Sequence, residues 1–203
     1  MVLKLATGKY KGTTLASSDT AKELRPTQAI IREAIINILN SMFLGDEFDF
    51  NFYDLDLLDL YSGTGSMGYE FLSNGAEMVN FVDYDIKCIK LLDSNATKLR
   101  IADKVRINRG KLPQVLKKIQ DHRKGKQFNA LFCDPPFKFT VEEFTKTVLK
   151  VFENNMLEQG SLIVLEYKNL DLAKLLEESC SEHMTILKAK QYGDCSVVIA
   201  KSL

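Results

Sequence analysis

The sequence predicts an α/β fold, in which an open and mostly parallel sheet of seven strands carries helices on both faces. Two patterns predict it. From Asp56 onward, short apolar segments alternate with segments in which apolar residues recur at helical spacing, and the connections between them are short. Near the end, two apolar segments flank the turn QYGD with no helix between them. That pair predicts a hairpin, and therefore one antiparallel strand in the sheet.

The strand and helix segments can be placed from this alternation. The predicted strands are Leu57 to Tyr61, Val79 to Asp83, Val105 to Asn108, Ala130 to Cys133, Leu162 to Glu166, Met184 to Ala189 and Cys195 to Lys201. The predicted helices lie near Gly68 to Asn74, Ile86 to Leu99, Leu112 to Gln120, Val141 to Asn154 and Leu170 to Ser179. Strand-then-helix repetition joins parallel strands by right-handed crossovers, which place helices on both faces. Ligands of such sheets bind beyond the carboxyl ends of the strands.

An N-terminal extension precedes this core. The segment LKLATGKYKGTTL predicts two short strands around a Gly/Lys turn. A helix is predicted from about Thr27 to Phe43, because apolar residues recur at helical spacing between Ile31 and Met42. Gly45 is predicted to end this helix.

Length and composition favour one globular domain over residues 1–203, with the hairpin and helix in 1–44 and the core in 56–203. The chain has 203 residues, of which 45% are hydrophobic and 27% are charged. It has no apolar run near the ~20 residues of a membrane helix and no secretory signal, so we expect an intracellular, cytoplasmic protein. The four cysteines are far apart without CxxC spacing, which favours free thiols over disulfides or a metal site.

Charge is unevenly distributed along a chain whose net charge is zero. Residues 1–32 hold six Lys and Arg against two acidic residues, and residues 98–126 hold eleven against two. This distribution is compatible with a basic face that binds nucleic acid. A solvated rim of helices and loops would give the same pattern.

A glycine-rich turn follows the first core strand in DLLDLYSGTGSMGYEF. Gly63, Gly65 and Gly68 allow a tight turn and a close approach of the backbone to a ligand at a helix N-terminus. Asp59 lies within the apolar strand, where a carboxylate needs a hydrogen-bond donor or a cationic ligand such as a sulfonium. Asp83 ends the second strand and can accept hydrogen bonds from ribose hydroxyls. A ligand-free turn and a helix cap are the structural alternatives, and a dinucleotide would fit the same residues.

The sequence after the fourth strand favours a methyl donor over a dinucleotide as the ligand. It is followed by Asp134-Pro135-Pro136-Phe137, which the predicted fold brings beside the glycine turn. The prolines fix the backbone, so that the Asp134 carboxylate and the Pro135 carbonyl are directed at one place. Two acceptors can hold an exocyclic amine, direct its lone pair and stabilise its developing charge. Phe137 can stack on an extruded base, although a rigid turn with a core Phe is the structural alternative.

With these motifs in place, the sequence resembles the bacterial 16S ribosomal RNA guanine-N2 methyltransferases, which have a seven-stranded Rossmann-like methyltransferase fold. The resemblance spans nearly the whole chain, and its most specific segment is RPTQAIIREAIINIL. The other matching segments are TGKYKGTTL, DLYSGTGSMG, VDYD, CDPPF and YGD. It implies methyl transfer from S-adenosylmethionine to guanine N2 in 16S RNA of an assembled small ribosomal subunit, by a protein that we expect to be a monomer without a metal.

The resemblance also implies roles for individual residues. The cofactor-binding set is Asp59, Tyr61, Gly63, Thr64, Gly65, Gly68, Asp83, Tyr84, Gly110 and Lys111. The catalytic set is Asp134, Pro135, Pro136 and Phe137. The RNA-binding set is Lys9, Lys11, Arg25, Thr27, Arg32 and Lys138, although helix capping and surface charge also explain Arg25, Thr27 and Arg32.

Two positions depart from the family pattern. Lys111 stands where similar enzymes often carry an Asp that holds the adenine amino group, and a lysine cannot accept that hydrogen bond. We therefore expect backbone groups around Gly110 to hold the adenine. Asp83 stands where Glu is more usual, which shortens the reach of the acceptor.

Three other functions fit parts of the sequence. The same motifs occur in enzymes that methylate adenine in DNA or RNA, or an amide nitrogen in proteins. A non-catalytic RNA-binding assembly factor could retain the fold, but it would not need the Asp134-Pro135-Pro136 sequence that is intact in this chain. A dinucleotide-dependent oxidoreductase would need a second domain to bring its substrate.

Overall fold

A computed structural model describes residues 3–17, 29–45, 47–136, 138–168 and 171–203. Its seven named strands belong to one mixed sheet. The chain forms two compact units, residues 1–109 and 110–203. Among the described residues, no helix has both the length and the apolarity needed to cross a membrane.

The first unit contains the N-terminal hairpin and three parallel strands in the order β3-β2-β1. Its strands are β1 (Asp56–Leu60), β2 (Met78–Asp83) and β3 (Val105–Arg109). Its helices are α1 (Ala29–Leu44), α2 (Ser66–Ser73) and α3 (Ile86–Leu99), and short 3-10 turns lie at Phe52–Asp54 and Ala102–Lys104. Most residues of β1 and β2 are buried, as expected for parallel strands covered on both faces.

The second unit contains four strands in the order β4-β5-β7-β6. Its strands are β4 (Phe128–Cys133), β5 (Leu157–Lys168), β6 (Met184–Tyr192) and β7 (Cys195–Ser202). Its helices are α4 (Val115–His122), α5 (Val141–Glu153) and α6 (Leu172–Cys180). Strand β7 runs antiparallel to both β5 and β6, which confirms the predicted C-terminal hairpin.

Several elements differ in extent from the predicted ones, and three differences are the most informative. Strand β5 begins at Leu157 instead of Leu162, because Leu157 pairs with Phe128 across a bulge in the β4–β5 ladder. Helix α4 begins at Val115 instead of Leu112, since the residue before a proline is disfavoured in helical conformation. The predicted N-terminal strands reduce to one antiparallel bridge, Lys4 with Thr14, flanked by backbone hydrogen bonds.

Candidate active site

Left-handed backbone conformations shape the glycine turn between β1 and α2. Tyr61, Gly63 and Gly65 have φ angles of +58°, +53° and +75°. The N–H of Gly65 closes the turn by donating to the carbonyl of Ser62 (2.7 Å). For Tyr61, a residue with a side chain, the left-handed conformation costs roughly 1 to 2 kcal/mol. Such strain at a strand end often marks a ligand site.

The three glycines of the motif have different physical roles. A Cβ on Gly68 would lie 2.3 Å from the Phe81 ring, and a Cβ on Gly65 would lie 2.4 Å from the Leu92 side chain. These two positions therefore require glycine for close packing. A Cβ on Gly63 would meet only the carbonyl oxygen of Tyr61, at 3.9 Å. Among the three, Gly63 is the position that faces open space, where a ligand could approach the backbone.

Asp59 is a buried carboxyl group with one unsatisfied oxygen. Its side chain lies in β1 and the residue is 1% exposed. Its Oδ2 accepts a hydrogen bond from the N–H of Gly68 (3.2 Å), whereas its Oδ1 has no hydrogen-bond partner among the described residues. Burial and, to a smaller extent, the charge of Asp83 raise the pKa of Asp59 to about 8, against the opposing effect of the Gly68 hydrogen bond. An orphaned buried acceptor of this kind fits a cationic or hydrogen-donating ligand.

Asp83 connects the end of β2 to the glycine turn. Its Oδ2 accepts from the N–H of Gly63 (2.8 Å) and its Oδ1 accepts from the N–H of Asp85 (2.9 Å). Burial raises the pKa of Asp83, and its hydrogen bonds oppose that effect. Asp85 is the residue that caps α3, by accepting from the N–H of Lys87 (2.8 Å), so capping does not account for Asp83. Each carboxylate oxygen keeps a lone pair for a further donor such as a ribose hydroxyl.

An exposed aromatic side chain follows Asp83. Tyr84 is 48% exposed, and its carbonyl accepts from Nε of Arg109 at the end of β3 (3.3 Å). A half-exposed aromatic ring offers a flat apolar surface to a planar ligand. Thr64 is buried within the glycine turn.

Gly110 and Lys111 begin the second unit. A Cβ on Gly110 would lie 2.5 Å from the Val115 side chain, so glycine is required there for packing. The Lys111 side chain is exposed, and its carbonyl accepts from the N–H of Val115 (3.0 Å). The expected role of backbone groups around Gly110 in adenine binding stays a prediction.

Residues 134–140 follow β4 and begin with the predicted catalytic residues Asp134 to Phe137, and they are called the target segment. Asp134 and Pro136 are half-buried, Pro135 is buried, and Phe137 lies outside the described residues. The N–H of Phe139 donates to the carbonyl of Pro136 (2.9 Å).

Helix α5 fixes the far end of the target segment. The Thr140 side chain accepts from the N–H of Glu143, and the Glu143 carboxylate accepts from the N–H of Thr140. The segment is therefore anchored by the strand at one end and by a capping box at the other.

The predicted RNA contact of Arg32 is corrected by the structure. Arg32 is 2% exposed, and its Nε lies 3.1 Å from Oε1 of Glu70, which is fully buried. Its Nη2 donates to the carbonyl of Lys4 (2.6 Å). The guanidinium therefore joins α1, α2 and the hairpin in the interior of the first unit, and it is not presented to an RNA surface.

Other residues of the predicted RNA-binding set fall into two groups. Lys9, Lys11 and Lys138 are exposed, so that their cations are accessible. Arg25 and Thr27 lie outside the described residues.

The hairpin that carries Lys9 and Lys11 is anchored to the C-terminal end of α2. The N–H groups of Lys9 and Tyr10 donate to the carbonyl and hydroxyl of Ser73, at 2.7 and 2.9 Å. A Cβ on Gly8 would lie 2.1 Å from the Ser73 carbonyl oxygen. At 1.5 Å of rise per residue, Ser73 is about 10 Å along the helix from the glycine turn. Lys9 and Lys11 therefore lie away from the glycine turn, and their contact with RNA stays a prediction.

A family model described as "Conserved hypothetical protein 95" matches residues 3–201. The chain belongs to this family. Several curated relatives carry the name "Ribosomal RNA small subunit methyltransferase D", among them the following two. The one from Buchnera aphidicola is 30% identical over 82% of this chain and 76% of its own. The one from Haemophilus influenzae is 28% identical over 94% of this chain and 89% of its own.

Solved structures agree with the family assignment at the level of fold. A hypothetical protein of Thermus thermophilus, TTHA0928, has a TM-score of 0.73 and 20% identity over 98% of both chains. SMU.776, solved in complex with SAH, has a TM-score of 0.60 and 16% identity over 81% of this chain and 48% of that chain. The predicted family and the Rossmann-like methyltransferase fold are confirmed.

For this member of the Conserved hypothetical protein 95 family, sequence reasoning missed two polar residues. Glu70 is fully buried and accepts from the N–H groups of Ala6 (2.6 Å) and Thr7 (3.1 Å), besides its ion pair with Arg32. An acidic residue in a short apolar helix was the available signal, because charges are rarely buried unless paired. Tyr167, whose hydroxyl donates to the carbonyl of Phe139 (2.7 Å), gave no comparable signal.

Part of the basic cluster serves internal contacts. Nζ of Lys98 donates to the carbonyl of Thr14 (2.6 Å), and Nη2 of Arg123 donates to the carbonyl of Gln127 (2.9 Å). The Arg123 guanidinium also lies 3.8 Å from the centre of the Phe128 ring. Charge density in this stretch therefore overstates the number of cations available to a nucleic acid.

Proposed function

We propose that this chain transfers a methyl group from S-adenosylmethionine to the N2 amino group of a guanine in 16S ribosomal RNA, with an assembled small subunit as substrate. The observation that carries the proposal is the Asp134-Pro135-Pro136 sequence directly after β4, in a member of this family. The relatives named as small-subunit RNA methyltransferases support an RNA substrate. The complex of SMU.776 with SAH supports the cofactor.

Most of the groups proposed to hold the cofactor lie in the first unit, and the cofactor's sulfonium would provide an electrophilic methyl group. The open space at Gly63 and the unpartnered Oδ1 of Asp59 are compatible with such a ligand. We assign Asp59 to the cationic methionine portion and Asp83 to the ribose hydroxyls. Tyr84 offers its exposed ring to the adenine. Gly110 and Lys111 complete the proposed set, with backbone groups around Gly110 holding the adenine edge.

Asp134 and the carbonyl of Pro135 are proposed to accept the two N–H bonds of the target amine. The lone pair of guanine N2 is delocalised into the ring, so the free amine is a weak nucleophile. Two acceptors would localise that lone pair and stabilise the positive charge that forms on nitrogen, as the N–C bond forms and the C–S bond breaks with its electron pair left on the neutral thioether sulfur. The nitrogen then loses one proton to Asp134 or to water. Phe137 is proposed to stack on the base.

The exposed cations Lys9, Lys11 and Lys138 are proposed to contact phosphates, together with Arg25 and Thr27. Phosphate contacts set orientation and affinity without reading sequence. Arg32 is left out of this set because it is buried in its ion pair with Glu70.

Radiolabelled S-adenosylmethionine tests the proposal. The protein is incubated separately with free 16S RNA, with small subunits from unmodified cells and with DNA, and the labelled nucleoside is identified. We expect label in N2-methylguanosine from the small subunits. We also expect Asp134→Ala to lower kcat by about a hundredfold to a thousandfold without loss of cofactor affinity, since one stabilising group is removed.

Asp83→Ala is the matched variant for the cofactor side, and it should weaken cofactor binding instead. Label confined to adenine or to protein, or normal turnover by the Asp134→Ala variant, would contradict the proposed function. Stronger labelling of free 16S RNA than of the small subunit would contradict only the proposal that the assembled subunit is the substrate.

A further inference from the structure

A side chain from a neighbouring strand anchors the target segment between its two ends. The hydroxyl of Tyr167 in β5 donates to the carbonyl of Phe139 (2.7 Å), and the N–H of Phe139 donates to the carbonyl of Pro136. Phe139 is thus bound through both of its backbone polar groups. One hydrogen bond fixes it to the Asp-Pro-Pro sequence, and the other fixes it to the neighbouring strand.

The sheet register explains why Tyr167 reaches this segment. Strands β4 and β5 run parallel, and Cys133 pairs with Leu165 as the last pair of the ladder. Tyr167 is two residues beyond Leu165, so it lies just past the carboxyl end of β4, on the same face as Leu165. From there its side chain extends alongside the residues that follow Cys133.

The ring of Tyr167 is itself held in place. Its centroid lies 5.0 Å from that of Phe144 in α5, at an interplanar angle of 44°, and Phe144 is fully buried. Burial raises the pKa of Tyr167, and the negative charge of Glu143 raises it further, so the hydroxyl stays protonated and able to donate. The donor therefore has a fixed position and a constant protonation state.

We propose that Tyr167 is a positioning residue, whose hydroxyl holds the backbone of the target segment so that its two acceptors are presented to the amine in one geometry. This inference rests on the proposed function. Amine activation by a carboxylate and a carbonyl depends on their placement, because a displacement of about 1 Å can cost about a hundredfold in rate. The ends of the segment are fixed by β4 and by the Thr140 cap, and Tyr167 supplies a constraint between them.

The variant Tyr167→Phe tests this role, since it keeps the ring against Phe144 and removes only the hydroxyl. We expect kcat on the small subunit to fall about tenfold, while the calorimetric affinity for S-adenosylhomocysteine and the thermal unfolding midpoint stay near wild type. Tyr192→Phe is the matched control, because Tyr192 is also half-buried in the second unit and lies in β6. The control should leave kcat unchanged.

Hydrogen–deuterium exchange gives a readout that does not depend on activity. In Tyr167→Phe, amide exchange over residues 134–140 should accelerate about threefold to tenfold, the range expected for removal of one hydrogen bond, while α4 stays unchanged. Unchanged exchange overturns the role whatever the activity. Accelerated exchange with wild-type kcat overturns it as well. A wild-type protein that puts no label into guanosine refutes the proposed function, and the exchange result then still decides whether Tyr167 holds the segment.

Discussion

Each end of helix α2 has a buried carboxyl group, and the two groups differ in how well they are satisfied. At the N-terminal end, Asp59 accepts one hydrogen bond through Oδ2 and leaves Oδ1 without a partner among the described residues. At the C-terminal end, Glu70 accepts from Ala6 and Thr7 and pairs with Arg32. A buried carboxyl group whose oxygens are satisfied by the protein serves its architecture, whereas a buried carboxyl oxygen without a protein partner is compatible with a ligand.

The largest expected effect on stability comes from removing the ion pair between Arg32 and Glu70. Arg32→Ala leaves the Glu70 carboxylate buried without its cation, which should lower the free energy of unfolding by about 3 to 5 kcal/mol. Chemical denaturation measures this change. The exposed pair of Lys174 and Glu178 is the control, since Lys174→Ala should change stability by less than about 1 kcal/mol. A loss in Arg32→Ala no larger than in the control would contradict the structural role of Arg32.

At the N-terminal end of α2, the protonation of Asp59 should make the stability of the protein depend on pH. Burial raises the pKa of Asp59 from 3.8 to about 8, so the folded protein holds this proton more tightly than the unfolded chain. The stability that the proton contributes is complete below pH 3.8 and is lost as the pH rises through about 8. Asp59→Asn removes this titration, and the thermal unfolding midpoint should then fall less between about pH 4 and pH 8.

Cofactor binding tests the same carboxyl group. A cationic ligand favours ionised Asp59, so binding near neutral pH should release a proton, and Asp59→Asn should release less and bind about a hundredfold more weakly. Calorimetry in two buffers of different ionisation enthalpy counts the protons. Equal proton release and equal affinity in the wild type and the variant would show that Asp59 does not face the ligand.

Asp59 and Arg32 differ in how well their surroundings can be predicted from the sequence. The sequence predicts a functional Asp59 because a charge inside an apolar strand is anomalous at the level of sequence. The prediction that Arg32 contacts RNA is wrong, because its partner Glu70 is distant in sequence, and a buried cation looks the same as an exposed one. The early start of β5 at Leu157 escapes prediction for a related reason, since it depends on a bulged pairing with Phe128. Periodicity predicts which elements form, whereas long-range pairing decides their ends and the partners of their charges.

Two glycines of the motif sharpen the distinction between packing and binding. Gly68→Ala places a Cβ 2.3 Å from the Phe81 ring and should lower the free energy of unfolding by about 2 kcal/mol. Gly63→Ala has no clash and costs only its left-handed backbone, roughly 1 kcal/mol, but it puts a methyl group into the open space proposed for the cofactor. We expect the loss of cofactor affinity, measured by calorimetry, to be larger for Gly63→Ala than for Gly68→Ala. The reverse order would place the ligand elsewhere.

The smallest expected effect concerns the hairpin at the C-terminal end of α2. Lys9 and Lys11 are exposed, and the hairpin that carries them is bonded to Ser73, about 10 Å along the helix from the glycine turn. The double variant Lys9→Ala/Lys11→Ala should weaken binding to the small subunit by up to about tenfold at low salt. It should also reduce the slope of log K against log salt concentration by up to about two, one for each phosphate that is no longer neutralised. Because these side chains lie away from the glycine turn, kcat at saturating substrate should be unchanged. A fall in kcat with unchanged affinity would mean that the hairpin acts at the reacting base, and the separation between the two ends of α2 would then be wrong.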